Sequence, residues 1–256
     1  MPKAILKTIE NISGKMQKIR SFMGRKGRLS AGQHQAVSNH YDKYVIEFAE
    51  KELNFAEIFA SSPSAPVVLE IGFGMGDSLL AACKKFPDTN FIGIEVYNPG
   101  VANLVKNLES NQVKNCKIIK HDAVEVLNSM VPNSSLSRVL IFFPDPWPKS
   151  RHHKRRLIQA QFISLLVSKM AKGGQIDLAT DWQPYAEHMM ETLTQSASLQ
   201  NANANAENMK NMKNASNKAC EINQFTSRSD MRMRSKFEKK GVEAGRKIWD
   251  ITFKVK

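Results

Sequence analysis

Residues 138–156 read RVLIFFPDPWPKSRHHKRR, and this stretch decides how the rest of the chain is interpreted. The apolar run 139–143 is typical of a strand that is buried on both faces of a sheet. Residues 144–148 contain three prolines in five positions and predict a stiff loop that is not helical. The carboxylate of Asp145 and the ring of Trp147 are therefore held at the end of a strand, beside a dense block of cations. Such a site suits an aromatic base with phosphates next to it.

Size and charge limit the class of protein further. The 256 residues are enough for one full domain with a tail, and 42% hydrophobic with 24% charged residues is ordinary for a globular protein. The net charge of +13 favours a polyanionic partner, although a merely basic surface is the alternative. Most of the cations fall in three stretches: the first 28 residues, the block after Trp147, and residues 228–240. This clustering favours a nucleic acid over a small anion.

Three cysteines, Cys83, Cys116 and Cys220, lack CxxC spacing. They predict reduced thiols in a reducing compartment, which we take to be the cytoplasm. No apolar run approaches the length of a membrane span, and the basic N-terminal stretch lacks the apolar core of a secretory signal. An organelle transit peptide is the alternative for that stretch. We expect no membrane association, and the sequence does not decide between a monomer and a homodimer.

We expect residues 1–40 to form a flexible basic arm, because Gly24, Gly27 and Gly32 interrupt any long helix. Residues 41–256 would form the main domain, which opens with an amphipathic helix over 41–59. Within it, the Asn-rich stretch 195–218 is predicted to be a mobile low-complexity insertion with nothing to bury.

Strand and helix patterns alternate through the main domain. The predicted strands cover residues 67–71, 91–95, 117–120, 139–143, 175–180 and 249–255. The predicted helices cover 77–85, 99–110, 123–128, 157–170 and 184–193, and the fourth ends at a Gly-Gly stop signal, residues 173–174. Units of this length predict an α/β fold, a mostly parallel sheet with helices on both faces. The last strand is expected to be antiparallel, with residues 221–225 as a partner.

A second informative stretch is VVLEIGFGMG at residues 67–76, where Glu70 lies near the end of a strand. The turn that follows contains three glycines, Gly72, Gly74 and Gly76. Glycines let a backbone turn tightly and approach a ligand at the C-terminal edge of a parallel sheet. The next strand ends in Glu95, an acid placed to bind a ribose diol. Together these features predict a binding site for an adenine-nucleoside cofactor.

The acid at Glu70 distinguishes between possible cofactors. The dinucleotide fingerprint fails because Asp77 occupies the position of its last glycine, and no Gly-Lys-Ser/Thr follows for a phosphate loop. A carboxylate repels a pyrophosphate but suits the ammonium or sulfonium of S-adenosylmethionine. At ~5 Å and an effective dielectric of ~20, that attraction or repulsion is about 3 kcal/mol. S-adenosylmethionine is therefore the predicted cofactor; a structural glutamate at a strand end is the alternative.

Other residues join this site, each with a simpler alternative. Asp122 is placed to meet the adenine edge or to cap the next helix. We expect Asp145 to take part in the chemistry or to recognise the base. The alternative is an aspartate with only a structural role in the loop. Trp147 either stacks on a base, for about 1–3 kcal/mol, or anchors the core. Asp181 ends a further strand at the same edge. The tetrapeptide Ser235, Lys236, Phe237 and Glu238 leans over the cleft or forms a solvated turn.

Seven stretches, quoted in chain order, carry a resemblance: RSFMGRKGRLSAGQ, LEIGFGMGDSL, FIGIEVYNPGV, HDAVEVL, FFPDPWPKSRHHKRR, ATDWQPYAEHM and SKFEKKG. They resemble the bacterial tRNA (guanine-N7-)-methyltransferase family from about residue 19 to residue 253, apart from the Asn-rich stretch. The resemblance implies a Rossmann-like class I S-adenosylmethionine-dependent methyltransferase. Its implied partner is tRNA, methylated at N7 of guanosine 46 in the variable loop.

The resemblance also implies roles for individual residues of this chain. The resemblance implies cofactor contacts at Glu70, Glu95, Asp122 and Asp145, with Asp145 also the catalytic residue. It implies substrate contacts at Lys149, Asp181 and residues 235–238. It implies an RNA-binding segment made of Arg151, His152, His153, Lys154, Arg155 and Arg156.

Two departures from the family are Ser235 in place of threonine and Pro148 where many relatives have histidine. Neither replaces a carboxylate, so we expect activity. His152 and His153 have no partner at metal-ligand spacing, and no metal is expected. Three alternatives remain open at this point: an NAD(P)-dependent oxidoreductase on a similar sheet, a non-catalytic RNA-binding protein, and a methyltransferase of the same fold that acts on another target.

Overall fold

A computed structural model describes residues 20–22, 27–203, 225–233, 238, 243 and 245–256. The described residues form one eight-stranded sheet with helices on both sides. The strands are β1 Val45–Ile46, β2 Val67–Ile71, β3 Asn90–Ile94, β4 Cys116–Ile119, β5 Leu136–Phe142, β6 Met170–Thr180, β7 Leu199–Asn201 and β8 Trp249–Val255. The helices are α1 Ala31–Tyr44, α2 Phe55–Ile58, α3 Asp77–Lys85, α4 Asn98–Ser110, α5 Ala123–Ser129, α6 Ala160–Lys169 and α7 Gln183–Thr194, with a 3₁₀ helix at Ser150–Arg155.

The sheet order places the candidate site. Strands run β1-β4-β3-β2-β5-β6-β8-β7, parallel through β6, with β8 antiparallel to both of its neighbours. The chain moves outward from β2 through β3 and β4 on one side, and through β5 and β6 on the other. The reversal between β2 and β5 opens a crevice at the carboxyl ends of these strands, where ligands of open α/β sheets bind. The predicted fold class, including an antiparallel last strand, is confirmed.

Successive residues of the central strands belong in turn to two hydrophobic clusters, one on each face of the sheet. Leu69 and Ile71 pack into the cluster that contains residues of α5, α6 and α7. Val68 lies in the other cluster, with residues of α1, α3 and α4. Since neighbouring strand residues point to opposite faces, the sheet is covered on both sides. All five residues of β2 are buried, as the apolar run predicted.

The start of the domain differs from the expectation, and the predicted helix over 41–59 is wrong. The helix α1 instead begins after Ser30, whose side chain accepts a hydrogen bond from Gln33 N while Gln33 Oε1 accepts one from Ser30 N. This capping box starts the helix, and Gly32 costs little in its first turn. The helix stops at Tyr44 because Val45 and the following isoleucine pair with β4.

Two further differences lie near the other end of the chain. Helix α6 ends at Lys169, not at the glycine pair, and β6 continues through an irregularity where Gly173 adopts a φ of +76°. Within the stretch predicted to be a mobile insertion, β7 pairs with β8 and buries Leu199. Residues 204–218 lie outside the described residues, as do 221–224 of the predicted partner strand. Thr226 forms a single bridge to Asp250.

Candidate active site

The glycine turn after β2 forms an open cradle. Gly72, Gly74 and Gly76 have φ values of +76°, +58° and +81°, a region that side-chain-bearing residues rarely adopt. Gly72 N donates to Ile94 O at 2.8 Å, which holds the turn against β3. A Cβ added at Gly72 or Gly74 would meet nothing within 4 Å. These two glycines therefore border open space at the end of the sheet, as a ligand cradle requires.

The first turn of α4 closes the other side of this cradle. A Cβ on Gly100 would lie 2.0 Å from Gly74 O, so the helix can approach the turn only with glycine there. Asn103 Nδ2 donates to Met75 O at 2.8 Å and fixes the tip of the turn. Gly100 was not singled out from the sequence, although it lies in the NPGV segment that resembles the family.

Glu95 connects the cradle to β3. One carboxylate oxygen accepts from Gly74 N at 2.8 Å, and the other accepts from Val96 N and Tyr97 N at 2.7 and 3.0 Å. Three backbone donors thus fix the carboxylate at the C-terminal edge, where the sequence placed a ribose-binding acid. The side chain is only partly buried and stays accessible from the crevice.

Glu70 is the unusual charge of the site. It is 3% exposed, and its Oε2 has no hydrogen-bond partner among the described residues. Burial, with the nearby Glu95 carboxylate as a smaller cause, raises its pKa from 4.5 to about 8. A buried carboxyl without a partner is costly unless a ligand supplies one. The arrangement fits a cationic group bound beside the glycine turn.

Asp122 lies at the end of β4 and caps the helix α5. Its Oδ1 accepts from Val124 N at 2.8 Å and from Glu125 N at 3.2 Å. The helix-capping alternative is therefore confirmed for Asp122. The cap uses only Oδ1, so it is compatible with a contact between the other carboxylate oxygen and the cofactor. Beside it, the His121 ring stacks on Phe48 with 3.8 Å between centroids.

The proline loop after β5 is held in a strained shape. Phe143 and Trp147, at its two ends, have φ values of +53° and +45°, which cost of order 1–3 kcal/mol each for bulky residues. Trp147 is 7% exposed, its Nε1 donates to Ser21 O at 3.1 Å, and the Arg155 guanidinium lies 3.9 Å from its ring centroid. The structure favours the anchor interpretation of Trp147. Asp145 lies between these ends, half-buried.

The cations of residues 149–156, the basic block, differ in their exposure to solvent. Lys149, Arg151 and Lys154 are exposed along the 3₁₀ helix, whereas Arg156 is 5% exposed. Burial, and then the positive charge of neighbours such as Arg151, lowers the pKa of His152. At neutral pH the exposed lysines and arginine thus supply the charge that can reach phosphates.

The remaining predicted residues lie around β6 and β8. Asp181 follows β6 and forms an ion pair with Arg246 at 3.0 Å. Glu238 is 5% exposed, with Oε2 2.6 Å from Nη1 of Arg232, so the solvated-turn alternative is wrong for this residue. Residues 235–237 lie outside the described residues. Within the described part of the chain, no group of three histidine, cysteine or acidic side chains could hold a metal ion.

Comparisons with known proteins identify the family. Residues 64–251 match a family described as "Putative methyltransferase". A tRNA (guanine-N(7)-)-methyltransferase of Salmonella choleraesuis is 43% identical over 238 residues, which are 93% of this chain and 92% of the relative. One from Aeromonas hydrophila is 42% identical over 251 residues, 98% of either chain. The chain belongs to the tRNA (guanine-N7-)-methyltransferase family.

A solved methyltransferase structure shows the same fold. The 16S rRNA methyltransferase KamB superposes with a TM-score of 0.51 at 10% identity, over 78% of this chain and 92% of that chain. Membership of the tRNA (guanine-N7-)-methyltransferase family confirms the resemblance seen in the sequence, and the oxidoreductase alternative is wrong. No helix among the described residues has the length and apolar character to cross a bilayer.

Proposed function

We propose that this chain transfers a methyl group from S-adenosylmethionine to N7 of guanosine 46 in the variable loop of tRNA, in the cytoplasm. The observation that carries the proposal is Glu70: a buried, unpartnered carboxyl at the sheet crevice, next to a glycine turn that borders open space. Few ligands can both pair with a buried acid and lie directly against a glycine backbone. A nucleoside that carries a cationic amino-acid tail can do both.

The residues that would hold the donor lie on three successive strand ends. Glu70 would meet a positive group of the methionine part, the glycine turn would lie along the nucleoside, and Glu95 would bind the ribose hydroxyls. Asp122 would reach the base with the carboxylate oxygen that does not cap α5. When bound, S-adenosylmethionine supplies a methyl group activated by its sulfonium.

On the acceptor side, guanine N7 carries an available lone pair and needs no prior deprotonation. The protein must then mainly align the acceptor nitrogen with the methyl group. Methylation leaves positive charge on the guanine ring, and the Asp145 carboxylate is placed to stabilise that charge as it develops. Asp145 therefore orients the base and acts through its field, and it does not serve as an obligatory base.

The tRNA would dock on the exposed cations beside this loop. Lys149, Arg151 and Lys154 are exposed in the segment that follows the proline loop, and the net charge of +13 supplies a long-range attraction for a polyanion. Binding through phosphates predicts an affinity that falls steeply with salt. Asp181 and the tetrapeptide 235–238 would contact the guanosine or its neighbours.

Mapping the modified nucleotide tests the proposal. The purified protein is incubated with methyl-labelled S-adenosylmethionine and unmodified tRNA, and the product is digested and sequenced. We expect one N7-methylguanosine, and none when position 46 of the tRNA carries adenosine. Label at another position would overturn the assignment of the target, and tRNA binding without transfer would overturn the activity itself.

A further inference from the structure

Arg156 differs from every other cation of the block that contains it. It closes the run that resembles the family's RNA-binding segment, yet it is 5% exposed, while Arg151 and Lys154 are exposed. Burial lowers the pKa of its guanidinium from the ordinary value. A buried arginine is retained only where its donors are used, because an unpaired buried charge is strongly destabilising.

The donors of Arg156 point into the protein. Its Nε donates to Pro146 O at 3.0 Å, and its Nη2 lies 3.0 Å from His153 Nε2. The guanidinium also lies 4.9 Å from the ring centroid of Tyr185. Tyr185 is fully buried on α7, and its hydroxyl accepts from Ile158 N at 3.3 Å. Arg156 thus spans from a fixed helix to the proline loop.

The point of attachment is the residue directly after Asp145. Phe143 N still donates to Ala179 O of β6 at 2.8 Å, but the prolines of residues 144–148 contribute no backbone donors, so the strand ladder cannot continue through them. The Pro146 carbonyl is the acceptor through which a side chain can restrain the peptide that carries Asp145. Asp145 and Arg156 also both act electrostatically on the Tyr185 hydroxyl, so their charges lie around the same ring.

We propose that Arg156 is a positioning residue for Asp145 and does not bind tRNA phosphate. It connects the Pro146 carbonyl to the Tyr185 ring through its guanidinium and so fixes the direction of the Asp145 carboxylate. This rests on the proposed function, since it assigns a role within the same methyl transfer. It also separates two tasks within one basic block: the exposed cations bind the polyanion, and the buried one shapes the loop.

The test compares Arg156→Gln with Arg151→Gln, a matched loss of one positive charge from the same block. For each protein we measure the slope of log affinity for tRNA against log salt, and the single-turnover methylation rate at saturating tRNA and S-adenosylmethionine. We expect Arg156→Gln to keep the wild-type slope and affinity while its rate falls on the order of 10²-fold. We expect Arg151→Gln, which removes a cation proposed to bind phosphate, to weaken tRNA affinity and to flatten the slope by roughly 0.7–0.9.

Arg156→Lys provides the second variant and guards against a simple folding defect. Its ammonium can still reach Pro146 O but cannot bridge to His153 and Tyr185 together, so part of the lost rate should return. Unchanged S-adenosylmethionine affinity, measured by calorimetry, is expected for both Arg156 variants. A flattened salt slope or a normal saturated rate in Arg156→Gln would overturn the proposal. Wild-type protein that binds tRNA without methylating it would instead refute the proposed function.

Discussion

The guanidinium of Arg232 donates hydrogen bonds to the carboxylate of Asp250, with Nη2 at 2.8 and 2.7 Å from the two carboxylate oxygens. Its Nη1 faces Glu238, and the Arg232 and Glu238 side chains are 2% and 3% exposed. One buried cation therefore ties the segment before the last strand to β8. The same guanidinium lies 5.5 Å from the Phe143 ring centroid, at the start of the proline loop.

Replacing Arg232 by Met should destabilise the fold strongly. The change removes a buried cation that contacts two carboxylates, and breaking a buried ion pair typically costs about 3–5 kcal/mol. Urea denaturation gives the free energy of unfolding. The control is Arg246→Gln, which breaks the exposed pair with Asp181 and should cost at most about 1 kcal/mol. Equal losses in the two variants would contradict the burial argument.

Binding of S-adenosylmethionine should release a proton from Glu70. In the free protein the pKa of Glu70 is about 8, so the group is mostly neutral at pH 7. A bound cation lowers that pKa, and close to one proton should leave per cofactor at pH 7, with the number falling to about half at pH 8 and further above it. Calorimetry in buffers of different ionisation enthalpy measures it. Glu70→Gln should bind more weakly and lack this release; identical release in the variant would remove Glu70 from the site.

Gly100→Ala should weaken S-adenosylmethionine binding by about tenfold or more. The added methyl would collide with Gly74 O, and either α4 or the glycine turn must move away. A suitable control is Gly173→Ala, which places alanine at a φ of +76° with nothing within 4 Å of its Cβ, far from the crevice. That control should lose about 1 kcal/mol of stability with unchanged cofactor affinity. A Gly100→Ala protein with wild-type affinity would show that this packing does not shape the cradle.

Asp145→Asn should lower the single-turnover methylation rate, measured at saturating tRNA and S-adenosylmethionine, by roughly 10²–10³-fold. The amide retains the size of the side chain but loses the charge that stabilises the methylated guanine ring. Asp88→Asn, an exposed acid in the turn before β3, is the control and should methylate normally. A near-normal rate for the Asp145 variant would leave the carboxylate without the role proposed for it.

Much of this architecture follows from local sequence. The apolar run of β2 and the glycines after it predicted a strand and a ligand turn, because burial on both faces and positive φ leave direct traces in residue type. Features set by distant contacts left weaker traces. Leu199 is buried inside a polar, repetitive stretch because β8 lies beside it, and Gly100 is needed because Gly74 approaches from another part of the chain.

The positive charge of a residue, taken alone, did not predict whether its side chain is exposed or buried. Arg151 and Arg156 are indistinguishable in a row of basic residues, yet one is exposed and the other is covered by Tyr185 and the proline loop. Exposure depends on which helix packs behind the row, and that information lies some thirty residues further along the chain. The start of α1 was different, since the capping box of Ser30 and Gln33 was present in the sequence and could have been recognised.

Strand β8 fills the gap between β6 and β7, both of which precede it in the chain. On the ribosome, β6 therefore keeps one open edge, and β7 has no partner strand among the described residues, until the last strand emerges. A nascent chain stalled before Trp249 would expose hydrogen-bonding groups along two unfinished edges, which attract other unfinished chains. Molecules truncated there should be recognised by chaperones and proteases.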